Sequence, residues 1–166
     1  MSIISKKICL IGDFGVGKTS LIRRFVDRQF SDQYLSTVGV KISRKTIKAS
    51  QELQMLIWDI EGSNKFKAIA PSYFQGAKGP VIVGDLTRPE TLENIPEHIQ
   101  SFLTVNPQSN IVIALNKSDI IAAEYLEKIQ QNYNFSEMSV INTYLTSAKT
   151  GNNVDEIFQV LANSLI

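Results

Sequence analysis

The segment Gly12-Asp13-Phe14-Gly15-Val16-Gly17-Lys18-Thr19 has the residue types and spacing of a loop built to hold phosphate: glycine, four residues, then glycine, lysine and threonine. Glycines let backbone N–H groups close around phosphate oxygens with no Cβ in the way. A helix that starts at the end of the loop points the positive end of its dipole at the same anion. Lys18 is suited to neutralise β- and γ-phosphates, and Thr19 to offer a hydroxyl to Mg²⁺. The context agrees. Ile8-Cys9-Leu10-Ile11 reads as a buried strand before the loop, and the apolar residues of Leu21-Ile22-Arg23-Arg24-Phe25-Val26 recur at helical spacing after it.

A phosphate loop leaves the base open, and Asn116-Lys117-Ser118-Asp119 narrows the choice. It follows a predicted strand, Ile111–Leu115, where the carboxyl ends of strands form ligand crevices in open α/β sheets. A carboxylate there accepts from the N1–H and the exocyclic amine of guanine. Adenine offers neither donor, so a buried Asp119 would stay unpaired. The Lys117 stem is long enough to cover one face of the base.

Alternating elements must position these groups. The pattern predicts strands at about 6–12, 39–48, 52–59, 80–83, 111–115 and 140–145. It predicts helices at about 17–28, 89–105, 121–133 and 152–165, and a short helix before 76. Most of the strands are short, apolar on both faces and separated by helices, which implies a mainly parallel sheet covered on both sides. The second and third strands lack a helix between them and read as an antiparallel hairpin. At 166 residues and 43% apolar content, one domain over 1–166 is expected.

Bulk properties exclude several classes. A net charge of +1 argues against a nucleic-acid footprint. Cys9 is the sole cysteine, so no internal disulfide forms, and it reads as a small buried hydrophobe. No apolar stretch approaches the roughly 20 residues of a membrane span. The N-terminus lacks a signal-peptide pattern and a myristoylation glycine, and Asn163-Ser164-Leu165-Ile166 offers no cysteine to prenylate. The expectation is a cytoplasmic protein that reaches membranes only through partners, or a chain without its lipidated tail. His98 has no carboxylate partner visible in the sequence and is expected at a helix surface; Arg23, Arg24, Asp27 and Arg28 read as a solvated helix face.

Taken together, these motifs resemble a Ras-superfamily small GTPase over essentially the whole chain, and the Rab branch most. Trp58-Asp59-Ile60-Glu61-Gly62-Ser63 resembles that branch's Trp-Asp-Thr-Ala-Gly-Gln, and Ser72-Tyr73-Phe74-Gln75-Gly76-Ala77 its Tyr-Tyr-Arg-Gly-Ala. Thr146-Ser147-Ala148-Lys149 is similar to the second guanine motif, and Ser36-Thr37-Val38-Gly39 to the first switch. The resemblance implies an α/β G domain with six mostly parallel strands, GTP and GDP as ligands, and Mg²⁺. It implies that Gly15, Val16, Gly17, Lys18, Thr19 and Ser20 hold phosphates and that Thr19, Thr37 and Asp59 serve the metal. Gly62 would meet the γ-phosphate. Phe30, Asn116, Lys117, Asp119, Ser147, Ala148 and Lys149 would surround the base. It also implies switches at about 31–40 and 60–75, monomeric behaviour, and effector, exchange-factor or activator proteins docking on Ile42, Trp58 and Tyr73.

Three departures bear on catalysis. Ser63 stands where the family keeps a glutamine that orients the attacking water. Phe14 replaces a small residue and would crowd the γ-phosphate side and an incoming arginine. Glu61 replaces alanine and needs Mg²⁺ or a lysine to offset its charge. The alternative is that Phe14 packs outward and Glu61 faces water. Ser63, Glu61 and Gly62 are therefore the candidate catalytic positions. The leading expectation is a nucleotide-controlled switch with slow hydrolysis. A constitutive GTP-bound binding module is the second reading, and a nucleotide kinase the third, opposed by the guanine motif and the lack of an arginine-rich lid.

Overall fold

The computed structural model describes residues 3–32, 37–64, 67–133, 135 and 138–166. Ser36 of the first-switch motif, with 33–35, 65 and 66 of the expected switch ranges, lies outside the described residues. The chain runs β1 (Ile4–Gly12), α1 (Lys18–Asp27), β2 (Val40–Lys48), β3 (Glu52–Ile60), a 3₁₀ turn (Pro71–Phe74) and β4 (Ala77–Asp85). It continues through α2 (Pro89–Glu93), α3 (Ile95–Val105), β5 (Ile111–Asn116), a second 3₁₀ turn (Ser118–Ile120), α4 (Ala123–Asn132), β6 (Val140–Leu145) and α5 (Val154–Ser164).

The six strands form one sheet in the order β2-β3-β1-β4-β5-β6. All neighbours pair in parallel except β2 and β3, whose antiparallel register sets Ile42 opposite Trp58. This is the α/β architecture expected for a phosphate-loop G domain. Alternation along β1 divides the core. Ile8 and Leu10 pack with Leu21, Phe25, Ile157, Phe158 and Leu161 of α1 and α5. Cys9 and Ile11 face the other side, with Leu92, Ile95, Ile99 and Phe102 of α2 and α3. Burial on both faces is why these strands read as continuous apolar runs. Among the described residues, no helix is long and apolar enough to cross a membrane.

Two elements differ from the sequence pattern by more than a residue or two at an end. β4 extends to Ala77–Asp85 rather than 80–83, because β1 and β5 offer parallel partners along it as far as a buried Asp85. The helix expected over 89–105 breaks at Asn94. Pro96 has no N–H to give the carbonyl of Leu92, as a continuous helix would require. In the first turn of a new helix that loss costs nothing. The Asn94 side chain makes no cap bond to α3.

Under the sheet, Phe25 and Phe158 stack with centroids 4.1 Å apart and planes 8° apart. Phe158 is fully buried. Replacing it with alanine is expected to lower unfolding free energy by about 3–5 kcal/mol. Urea unfolding checks this, and a loss below about 1 kcal/mol would show that the two helices do not depend on the stack.

Candidate functional site

At the carboxyl end of β1 the backbone leaves Gly12 and turns through Gly15 and Gly17, both with positive φ, into the first turn of α1. A side chain on Gly17 would fall on the Asn116 amide. Lys18 folds back beneath the loop, and its Nζ donates to the carbonyls of Gly12 (3.4 Å) and Asp13 (3.3 Å). Burial pushes this ammonium down to about 8, opposed by the carboxylates of Asp59 and Asp13. An incoming polyphosphate would favour the charged form further.

Thr19, Thr37 and Asp59 converge. Thr19 Oγ1 lies 2.6 Å from Asp59 Oδ2 and 2.7 Å from Thr37 Oγ1, and Thr37 Oγ1 lies 3.2 Å from the same carboxylate oxygen. Burial raises the Asp59 pKa, against the Thr19 hydrogen bond and the Lys18 charge. Its other oxygen, Oδ1, is buried with no hydrogen-bond partner among the described residues. An all-oxygen set with an unsatisfied carboxylate oxygen fits a hard divalent cation such as Mg²⁺.

The base end is tied to the phosphate end by short polar side chains. Asn116 Nδ2 donates to the Val16 carbonyl at 3.0 Å, and Thr146 Oγ1 donates to Asn116 Oδ1 at 3.1 Å. Ser147 Oγ donates to Asp119 Oδ1 at 2.8 Å. Lys117, in the left-handed region, reaches Asp85 Oδ2 (2.8 Å) and the Gly15 carbonyl (3.3 Å). A cleft of about 330 Å³ runs along these residues. Gly15, Gly17, Lys18, Thr19, Ser20, Thr37 and Gly62 line it towards one end, and Phe30, Asn116, Lys117, Asp119, Ala148 and Lys149 towards the other. Val16 and Ser147 lie buried behind that lining.

The model of the Ras family matches residues 7–166. The chain belongs to the Ras family. It is similar to Ras-related protein Rab-22A of Homo sapiens, 36% identical over 95% of this chain and 82% of that protein. It is similar also to Ras-related protein Rab-13 of Canis lupus familiaris (35%, over 96% and 79%) and Ras-related protein Rab-1A of Dictyostelium discoideum (34%, over 96% and 79%). It is a Rab-branch small GTPase of the Ras superfamily, with guanine nucleotides as its ligands.

In this GTPase the three departing residues sit as follows. Ser63 pairs with the phosphate loop in a short parallel bridge: its N–H donates to the Gly12 carbonyl (3.2 Å) and its carbonyl accepts from Phe14 N–H (2.8 Å). Its hydroxyl donates to Asp13 Oδ1 at 3.3 Å, and Ser63 does not line the cleft. Phe14 is 43% exposed and lies at the cleft wall. Glu61 does not simply face water: Oε2 accepts from Lys67 Nζ at 2.9 Å and from Gly39 N–H at 3.3 Å, which holds its carboxyl below the usual range. Lys67 supplies a counter-charge to the carboxylate.

The sequence pattern missed four contributors. His98 is buried, with Nε2 2.8 Å from Asp13 Oδ1; the surface position expected for it was wrong because its partner lies 85 positions away. Arg24, on the solvated face expected for it, also donates to the carbonyls of Lys149 and Thr150. Arg88 donates to the Phe14 carbonyl (2.7 Å) and to Asp85 (3.1 Å). Asp85, a carboxylate closing the apolar run Pro80–Gly84, was the one signal available in the chain.

Because Ser147 positions a charged acceptor, Ser147→Ala is expected to weaken GDP binding about tenfold, as loss of a hydrogen bond to a carboxylate does. Titration calorimetry of the nucleotide-free variant checks this, and unchanged affinity would show that Asp119 holds its position without Ser147.

Proposed function

We propose that this GTPase is a single G domain over 1–166 that binds GTP and GDP with Mg²⁺ and hydrolyses GTP slowly. The observation that carries this reading is the meeting of Thr37 with Thr19 and Asp59, which draws the first switch onto the group of oxygens suited to the metal. Mg²⁺ bound there would supply charge neutralisation to the phosphates. Lys18 and the amides of 15–20 would grip the phosphate chain, and Gly62, against the loop, would present its N–H at the γ-phosphate end. Asp119, oriented by Ser147, would read the guanine donors, with Phe30 and the Lys117 stem against the ring and the Ala148 amide at the base oxygen. These positions divide the work in the manner of phosphoryl transfer, by orientation and charge rather than covalent chemistry.

Slow turnover follows from what is missing at the water site. The Ser63 hydroxyl is engaged by Asp13, and a serine carries no amide with which to orient water. The exposed Phe14 ring occupies the approach of an arginine supplied by a partner. The same two observations support a second reading, a GTP-bound binding module with negligible hydrolysis.

Partners would read the face formed by Ile42, Trp58 and Tyr73. Ile42 is 48% exposed and is the cross-strand neighbour of Trp58. Lys7 Nζ sits 3.6 Å from the Trp58 ring centroid, which leaves a half-buried aromatic anchor with a cation on it. A monomer acting in the cytoplasm, and at membranes through such partners, fits this surface.

GTP is expected to bind at least about 10³-fold more tightly than ATP, from two lost hydrogen bonds and a stranded carboxylate. Calorimetry on nucleotide-free protein decides it, and comparable affinities would remove the guanine assignment. Single-turnover GTP cleavage is expected at or below the order of 10⁻⁴ s⁻¹, rising in Ser63→Gln and further when Phe14→Ser is added. A natural rate of about 10⁻² s⁻¹ would contradict the roles given to both residues. Undetectable cleavage together with GTP in the purified protein would favour the binding module.

A further inference from the structure

We propose that the Asp13 carboxylate, held by Asn94 and His98, is a latch that keeps Gly62 and Ser63 on the phosphate loop, and that His98 and Ser63 are thereby positioning residues for the γ-phosphate end of the cleft. This rests on the guanine-nucleotide reading above. Asn94 Nδ2 donates to Asp13 Oδ2 at 2.7 Å, and His98 Nε2 lies 2.8 Å from Oδ1. Ser63 Oγ donates to that same Oδ1 at 3.3 Å. Asp13 and His98 side chains are only 13% and 10% exposed, so the carboxylate depends on these partners for satisfaction. Burial pushes its pKa up, yet the bonds from His98, Asn94 and Ser63 outweigh that and hold it below the usual carboxylate range.

The set contains a serine, a histidine and an aspartate, but it is not a nucleophilic triad. His98 and Ser63 both address Asp13. A triad needs the histidine between serine and carboxylate, so that it can take the serine proton. Here the carboxylate is the hub, and hubs of this kind fix geometry.

What it fixes is the close approach of two backbones. Ser63 exchanges hydrogen bonds with Gly12 and Phe14, and a Cβ on Gly62 would stand 2.6 Å from both Phe14 Cα and Phe14 N. Gly62 lines the cleft while Ser63 is anchored outside it. Pulling on Ser63 therefore sets where the Gly62 amide lies. The anchor comes from the start of α3, where the Asn94 side-chain amide and, one turn further along, the His98 ring both reach Asp13. A γ-phosphate bound at Gly62 would feel this latch, and a diphosphate would not.

Dissociation constants for GDP and for a non-hydrolysable GTP analogue, measured on the full chain with Ser63→Ala and with His98→Phe, test the latch. Each variant is expected to lower affinity for the GTP analogue relative to GDP about three- to tenfold, because the cost of placing Gly62 without a hydrogen bond to the charged Asp13 falls on the ligand that reaches Gly62. The double variant is expected to lose no more than the larger single loss, since both act through Asp13. His98→Gln, whose amide can donate to Asp13, and Ser63→Thr, which keeps the hydroxyl, are expected to restore most of the ratio. An unchanged ratio in both single variants, or losses that multiply in the double, overturns the proposal. Hydrogen exchange at the amides of Phe14 and Ser63 without nucleotide gives a second measurement that does not require His98→Phe to fold. Faster exchange in Ser63→Ala than in the natural protein is expected, and equal exchange overturns the latch. Absence of any guanine-nucleotide binding by the natural protein would overturn the functional reading instead, while the exchange measurement still decides the latch.

Discussion

A lysine ammonium carried into the end of a parallel sheet is unstable unless something negative stands above it. Lys18 is almost wholly buried, with two backbone carbonyls beneath it and the carboxylates of Asp13 and Asp59 nearby. Burial still lowers its proton affinity, so the folded chain holds a cation that its own groups only partly satisfy. A polyphosphate completes the arrangement. The glycines of the loop, the start of α1 and the oxygens of Thr19, Thr37 and Asp59 are all placed around that one charge.

The surrounding loops are held by short polar side chains rather than by apolar packing. Asn116 joins the base motif to the phosphate loop through the Val16 carbonyl, and Thr146 holds Asn116 in turn. Lys117 and Arg88 share the buried Asp85 and grip the carbonyls of Gly15 and Phe14 from outside. Arg24 does the same for residues 149 and 150. The ties from Asn116, Lys117 and Arg88 join segments that follow different strands at their carboxyl ends, where an open α/β sheet gathers its ligand. The Asn116 ties to Val16 and Thr146 are buried, so breaking either leaves a buried polar group unpaired.

The departures at Phe14, Glu61 and Ser63 make sense together once their neighbours are known. Glu61 carries its own counter-charge in Lys67. Ser63, too short to orient water, has a hydroxyl of the right length for the adjacent Asp13. Phe14 lends its backbone, through both N–H and carbonyl, to Ser63 and Arg88, while its ring stays at the surface of the cleft. Gly62 and Ser63 are thus held against the loop, through the backbone of Gly12 and Phe14 and the side chain of Asp13.

The local motifs were legible in the chain because their chemistry is contained in consecutive residues. A glycine-rich turn ending in Gly17-Lys18-Thr19 has few uses besides phosphate, and Asn116-Lys117-Ser118-Asp119 placed after a buried strand carries its own base preference. The parallel α/β sheet was legible too, since strands buried on both faces appear as short apolar runs between amphipathic helices. What only the tertiary structure decided was every contact between positions far apart in sequence. His98 finds Asp13, Arg24 finds the 149–150 carbonyls, and Arg88 finds Phe14 because the sheet order brings β1, β4, β5 and β6 side by side. Periodicity can show which face of a helix is buried, but it does not say what lies across from that face. A histidine on α3 therefore reads as surface until the loop after β1 is seen folded against it.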